Sequence, residues 1–246
     1  MADTAYYDIL QSALPDSVFV ERLVHGISWT AAVLSDGSVG VAMHTPGETV
    51  PCMFGSLIGL PLKQAGQAML SWNMEEASEA FAAVNAFYNN PACGFLKPEA
   101  KTLDGIDLHD RTVGMVGMML GHSNMTAEDF LCAKHLYIMD REEKTGAMPD
   151  SASEYYLPQC DLVIITGSAA INKTLPRLLE LSRDAEVVLT GPSVTLCPAL
   201  PAACGIRRLN GQAITEGEAM LEKIVEERCS VNAFSRHYTL DYAAHR

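Results

Sequence analysis

The residues best suited to chemistry gather in four short segments of the C-terminal half, each following an apolar run. The first contains Gly114, Gly117 and Gly121 and then His122-Ser123-Asn124. Glycines let a backbone turn approach a ligand, or let a strand pack closely. Gly114 and Gly117 are expected inside the strand and Gly121 at its turn. The imidazole of His122 suits acid–base work because it titrates near neutrality, although a loop histidine is more often simply solvated. The second segment, Met139-Asp140-Arg141, offers a carboxylate that can bind a ribose, hold a metal, move a proton or cap its own loop. The third, Thr166-Gly167-Ser168 followed by Asn172-Lys173-Thr174, sets hydroxyl and amide groups before a helix expected from Leu175-Pro176. Such donors fit a carboxylate, a phosphate or a metal-bound anion. N-capping by Asn172 or Thr174, worth about 1 kcal/mol, explains the same residues without a ligand. The fourth, Thr190-Gly191-Pro192-Ser193-Val194-Thr195, reads as a Gly-Pro turn at a sheet edge with two hydroxyls beside it. None of these ends spells G-x-G-x-x-G or G-x-S-x-G, so neither the dinucleotide fingerprint nor the hydrolase nucleophile elbow is indicated.

Metal ligation finds little support in spacing. The cysteines are Cys52, Cys93, Cys132, Cys160, Cys197, Cys204 and Cys229, irregularly placed, with no C-x-x-C and no H-x-x-H. They are expected as reduced, buried small hydrophobes rather than a disulfide framework or a closed zinc site. Cys197 and Cys204 are the pair that could serve as thiolate ligands.

The elements that must position these residues show two patterns. Thr112–Leu120, Leu136–Asp140, Leu162–Gly167, Val187–Gly191 and Ile206–Leu209 are apolar runs, with helices expected at Ala127–Lys134, Asn172–Ser182 and Glu216–Glu227. Continuous apolar strands alternating with helices imply a parallel sheet buried on both faces, here five strands, doubly wound and Rossmann-like. Earlier in the chain, a helix is expected over Asp3–Leu14, strands over Val18–Val24, Trp29–Leu34 and Val39–Met43, and helical periodicity from Pro61 to Tyr88. Asp36-Gly37 between the last two strands is a hairpin signal. The fold class is therefore α/β, with an α+β unit over residues 1–95 and the Rossmann-like unit over 96–246, joined by an aperiodic stretch from Asn89 to Asp110. Asn85 is a lone amide on an apolar helix, either a satisfied core group or one facing a groove.

Seventeen basic against thirty acidic residues leave a formal charge of −13. That balance argues against nucleic acid or an anionic membrane as partner. No secretory leader and no apolar run of about 18 residues is evident, so a cytoplasmic protein is expected.

Leu157-Pro-Gln-Cys-Asp161-Leu-Val-Ile-Ile-Thr166-Gly167, Asn172-Lys173-Thr174-Leu175 and Gly191-Pro192-Ser193 with Pro198 together resemble the DUF364 family, which is associated with heavy-metal chelation. Gly26-Ile-Ser-Trp29-Thr30-Ala, Gly40-Val41-Ala42 and Asn85-Ala86 resemble its companion domain DUF4213. The resemblance implies an enolase N-terminal-like domain joined to a Rossmann-like one, with a site between them. It also implies a small-molecule or metal-chelate ligand, bound or made by the protein, with heavy metal or its chelate as the only cofactor class suggested. Ligand contacts are then expected from Gly121, Thr166, Gly167, Ser168, Asn172, Thr174, Gly191 and Ser193, with His122 and Asp140 as catalytic or metal-facing groups. Two departures stand out: Lys173 where Asn-Gly-Thr is expected, and Asp140 where glutamate is more usual. A nucleotide- or S-adenosylmethionine-dependent transferase, a non-catalytic sensor and a homo-oligomer all stay open.

Overall fold

Tyr6, Tyr7 and Leu10 recur at helical spacing and are buried by α1 (Ala5–Ser12), which ends just short of Pro15. The structure, a computed structural model, describes residues 4–46, 50–98, 101–121, 124–226 and 230–242. Strands β1 (Val20–His25), β2 (Trp29–Leu34) and β3 (Val39–Met43) form an antiparallel sheet in chain order. The Asp36-Gly37 turn joins the last two, with Gly37 at φ 82°. Short α2 (Leu62–Ala65) leads through a 3-10 turn to α3 (Met74–Tyr88). The Asn73 side chain caps α3 by accepting from the amides of Glu75 and Glu76. Backbone meets backbone where α3 crosses the sheet: a Cβ on Gly40 would lie 2.1 Å from the Ala86 nitrogen.

The second sheet is built from β4 (Lys97–Pro98), β5 (Thr112–Val116), β6 (His135–Asp140) and β7 (Met148–Pro149). Helix α4 (Ser153–Tyr156), β8 (Leu162–Thr166), α5 (Ser168–Ile171), α6 (Leu175–Leu181) and β9 (Glu186–Thr190) follow. The chain closes with α7 (Leu200–Cys204), β10 (Arg208–Ile214), α8 (Gly217–Glu226) and β11 (Ser235–Asp241). Strand order is β4-β11-β10-β9-β8-β5-β6-β7. The run from β10 to β7 is parallel, and β11 and β4 are antiparallel to it. The fold is thus α/β, a small antiparallel sheet with helices beside a larger, mostly parallel one.

Several expectations need correction. Eight strands replace five. The fifth expected strand, Ile206–Leu209, corresponds to β10, which starts later and runs to Ile214 because Asn210 and Gln212 interrupt its apolar character. Strand β11 is largely polar, so it does not read as a buried strand. Strands β4 and β7 have two residues each, too few to leave a pattern. Ala127–Lys134 yields only a 3-10 turn at Ala127–Phe130. Leu131 beyond it is 83% exposed and gives a longer helix nothing to bury. Gly117 lies one residue past β5 rather than inside it, and the Gly191-Pro192 turn follows an interior strand, not an edge. Cys160 and Cys197 are buried, but Cys52, Cys93 and Cys132 are exposed, and Cys229 lies outside the described residues.

One apolar cluster runs from Tyr7, Leu10 and Phe81 to Ile165, Ala170 and Leu196, so the two sequence halves share a core. The opposite face of the large sheet packs a second cluster around Met115, Ile164 and Phe130. Polar bonds reinforce the junction. Tyr7 Oη donates to Ala170 O at 2.8 Å. Asn89 Nδ2 donates to Val194 O (2.8 Å) and Gln212 O (3.1 Å), and its Oδ1 accepts from Leu196 N (2.8 Å). Asn85 is a satisfied core amide, its Nδ2 donating to Val41 O. Among the described residues no helix is long and apolar enough to cross a membrane.

Candidate functional site

Strand order reverses between β5 and β8, the first strand of the parallel run and the one added on its other side. Open α/β sheets form their binding crevice at this point, beyond the carboxyl ends of the strands. Gly117, at φ 91°, turns the chain out of β5 immediately beside Thr166 at the end of β8. A Cβ on Gly117 would lie 2.9 Å from Thr166 Cγ2, so only glycine lets these two ends close together.

A cavity of about 840 Å³ opens from this crevice. Asp140, Thr166, Ser168, Asn172, Thr174 and Gly191 line it from the large sheet, and Ser28, Trp29 and Met43 line it from the small one. Its apolar surface includes Met118, Met119, Met139 and Leu178. Gly121, Gly167 and Ser193 are not on its wall. Gly121 turns a loop at φ 81°, and Gly167 is pressed against the Val194 backbone. Buried Ser193 accepts from Met43 N at 2.8 Å and thereby ties the small sheet to the β9 loop. His122 lies outside the described residues.

The Asp140 carboxylate is fully engaged. It accepts from Met118 N (2.7 Å), Glu142 N (2.9 Å) and the Lys144 ammonium (2.9 Å). Burial opposes its ionisation, but these amides and the cation prevail and hold it below the ordinary carboxylate value. Asp140 is therefore a fixed anion shaping the β6 turn. It has no proton to give near neutral pH.

The β8 loop is organised differently from a simple cap. Thr174 precedes α6 without capping it by its side chain. Instead Asn172 Oδ1 accepts from Thr174 N (3.1 Å) and Thr174 Oγ1 (2.6 Å). That leaves Asn172 Nδ2 without a partner among the described residues. Thr166 and Ser168 hydroxyls lie 3.1 Å apart on the same wall.

Lys173, between Asn172 and Thr174, has φ 68°, the left-handed conformation that glycine adopts without cost. The Asn-Gly-Thr expectation thus has a backbone reason, and the lysine occupies the glycine conformation under strain. Its Nζ donates to Ile171 O at 2.7 Å and sits 5.9 Å from the Tyr7 ring centroid. No carboxylate lies within 4 Å of it among the described residues. Burial without a counter-ion pushes its pKa down to about 8.

Sequence reading missed Ser153. It lines the cavity at 4% exposure, and its hydroxyl has no hydrogen-bond partner among the described residues. A buried unpartnered hydroxyl is costly unless a ligand or water satisfies it. It opens the short helix α4, and nothing in its sequence neighbours signals a site. Arg177 and Glu154 close the rim through a two-pronged pair, 2.9 and 2.6 Å. Among the described residues no group of three His, Cys, Asp or Glu side chains could hold a metal ion.

The sequence pattern of the family described as "Putative heavy-metal chelation", DUF364, matches residues 104–244, and that of DUF4213, with the same description, matches residues 7–88. The chain belongs to the DUF364 family. A family member of unknown function from Desulfitobacterium hafniense DCB-2 has a crystal structure that superimposes with a TM-score of 0.84 at 28% identity, covering 97% of this chain and 98% of that one. A second, from Pyrococcus horikoshii, gives 0.77 at 21% identity over 98% and 100% of the two chains, a likeness of fold alone. "Uncharacterized protein MJ0500" of Methanocaldococcus jannaschii is 26% identical over 183 residues, 70% of this chain and 68% of its own.

Proposed function

We propose that this DUF364 protein binds a small organic anion, a metal-chelating compound or its metal chelate, in the cleft between the two sheets. The observation that carries the reading is Lys173, an ammonium on the cleft wall with no carboxylate partner among the described residues. An unpaired, half-buried cation is costly and gains most from an anionic ligand. Asn172 Nδ2 and the Ser153 hydroxyl add donors for the same guest, and the methionine surface accommodates a flexible apolar body. A volume of about 840 Å³ suits a small molecule. The family's association with heavy metals fits a metal that arrives on its chelator, because the described donor set does not fit one held by protein alone.

Strand order at the crevice also suits a nucleotide or S-adenosylmethionine, the rival occupant. Against it stands Asp140, whose oxygens are taken by two amides and Lys144 where a ribose hydroxyl would need them.

Thermal melting with citrate, ferric citrate, nucleotides and S-adenosylmethionine separates these readings. Citrate or its ferric complex is expected to raise the melting temperature, by about 2.7 kcal/mol of stability at 100 times Kd. The effect should be lost in Lys173→Met and weakened in Asn172→Ala and Thr174→Ala with the fold intact. Stabilisation by nucleotides alone, or stoichiometric binding of a bare metal ion, would overturn the proposal.

A further inference from the structure

Two lysines line the same cleft in opposite surroundings. Lys144 is 2.9 Å from Asp140 and 3.5 Å from Glu142, carboxylates that hold its amine protonated and raise its pKa although burial opposes them. Among the described residues Lys173 has a carbonyl oxygen and an aromatic face beside its amine and no carboxylate. An amine attacks a carbonyl carbon only through its free electron pair, so the second setting favours reaction and the first suppresses it. The Lys173 backbone is also held in a conformation that disfavours side chains, which fixes where the amine's stem leaves the main chain.

We propose that Lys173 is an imine-forming amine, and that the cleft's anionic guest is a small oxo acid carrying an aldehyde or ketone beside its carboxylate. This rests on the reading that the cleft takes an organic anion, and it names the chemical class of that anion. The cleft offers a second cation for the carboxylate: Arg141 at its mouth, which has no carboxylate within 4 Å among the described residues. The depressed pKa of about 8 leaves an appreciable neutral fraction near neutral pH, consistent with that role.

In the reaction, the neutral Nζ pair attacks the carbonyl carbon and the carbon–oxygen π pair moves to oxygen. The proton released by nitrogen passes to that oxygen, giving a carbinolamine. The hydroxyl then leaves as water, taking the second nitrogen proton, and a carbon–nitrogen double bond remains. One carbonyl and one amine give one imine and one water, with no oxidant or reductant.

The test uses the full chain with glyoxylate and cyanoborohydride, which reduces an imine to a stable secondary amine, followed by peptide mass mapping. Lys173 should be labelled at least about tenfold faster than Lys144, Lys63 or Lys134, with a rate that rises to half its maximum near its pKa of about 8. Lys173→Arg, which keeps the charge, should remove the fast adduct and leave melting behaviour intact. Even labelling of all lysines, or an unlabelled Lys173, overturns the inference. Citrate has no aldehyde or ketone and reports on the parent reading alone. Stabilisation by citrate without a glyoxylate adduct defeats the imine and leaves the anion site standing, whereas the absence of both defeats both.

Discussion

Thr195 Oγ1 donates to Asn85 Oδ1 at 2.5 Å, joining α3 to the loop after β9 across 110 residues of sequence, with both side chains buried. One turn further along α3, Asn89 makes three more bonds to that loop and to β10. The amides are spaced i, i+4, so the last turn of α3 and its C-cap together tie the small sheet to the large one.

Asn89→Ala is therefore expected to orphan two carbonyls and one amide in the interior. At about 1 kcal/mol or more for each buried group, the loss should reach about 3 kcal/mol. Urea denaturation followed by circular dichroism and by tryptophan fluorescence checks this. Both probes should shift together in one transition, because the halves share a core.

Lys173→Gly should bind citrate poorly yet be more stable, by about 1 kcal/mol, since a left-handed lysine is strained and a left-handed glycine is not. The pH dependence has a definite sign. The folded pKa of about 8 lies below the unfolded lysine value, so the unfolded chain binds more protons between the two. The penalty is complete below pH 8 and fades as pH rises through the unfolded value near 10.4. The melting-temperature gap between variant and wild type should narrow from pH 7 to pH 10. A constant gap would mean that Lys173 is not buried as described.

On the small sheet, His25 Nε2 lies 3.0 Å from Glu79 and its ring is 5.8 Å from that of His44. The hydrogen bond to Glu79, against burial, raises the His25 pKa, while burial and then the neighbouring His25 lower that of His44. Proton NMR should find the two on opposite sides of 6.5. A raised folded pKa stabilises most below the unfolded value and less as pH climbs through the folded one. Glu79→Gln should accordingly destabilise more at pH 6 than at pH 8.5.

Asp140→Asn keeps one carbonyl acceptor but loses the charge that holds Lys144 and two amides. A cost of about 1–2 kcal/mol is expected at pH 7. Because the folded carboxyl titrates below its ordinary value, its contribution is present above that value and lost as pH falls through the folded one. Denaturation curves of wild type and variant should converge as pH falls below the ordinary carboxylate range.

Much of this arrangement was legible in the chain. Trp29–Leu34 and Val39–Met43 begin and end where their β-forming residues and the Asp-Gly turn place them, and helical periodicity ending at Tyr88 marks α3. The strand ends at Asp140 and Thr166 were marked by apolar runs giving way to polar residues. What stayed hidden depended on the third dimension. Ser193 and Gly167 look like ligand-facing loop residues, but packing of the small sheet and the Val194 backbone consumes them. Ser153 looks ordinary because only folding strips its hydroxyl of partners. Lys173 registered as a departure from Asn-Gly-Thr, and its importance came from the left-handed φ and the missing counter-ion, which no spacing rule reports.

The most direct measurement is a crystal structure of the protein with the best stabilising organic anion from the melting panel. An acidic or carbonyl group of that ligand should lie within about 3 Å of Lys173 Nζ, with further bonds to Asn172 Nδ2 or Ser153 Oγ. A ligand seated outside the cleft, or in it but turned away from Lys173, would contradict the account.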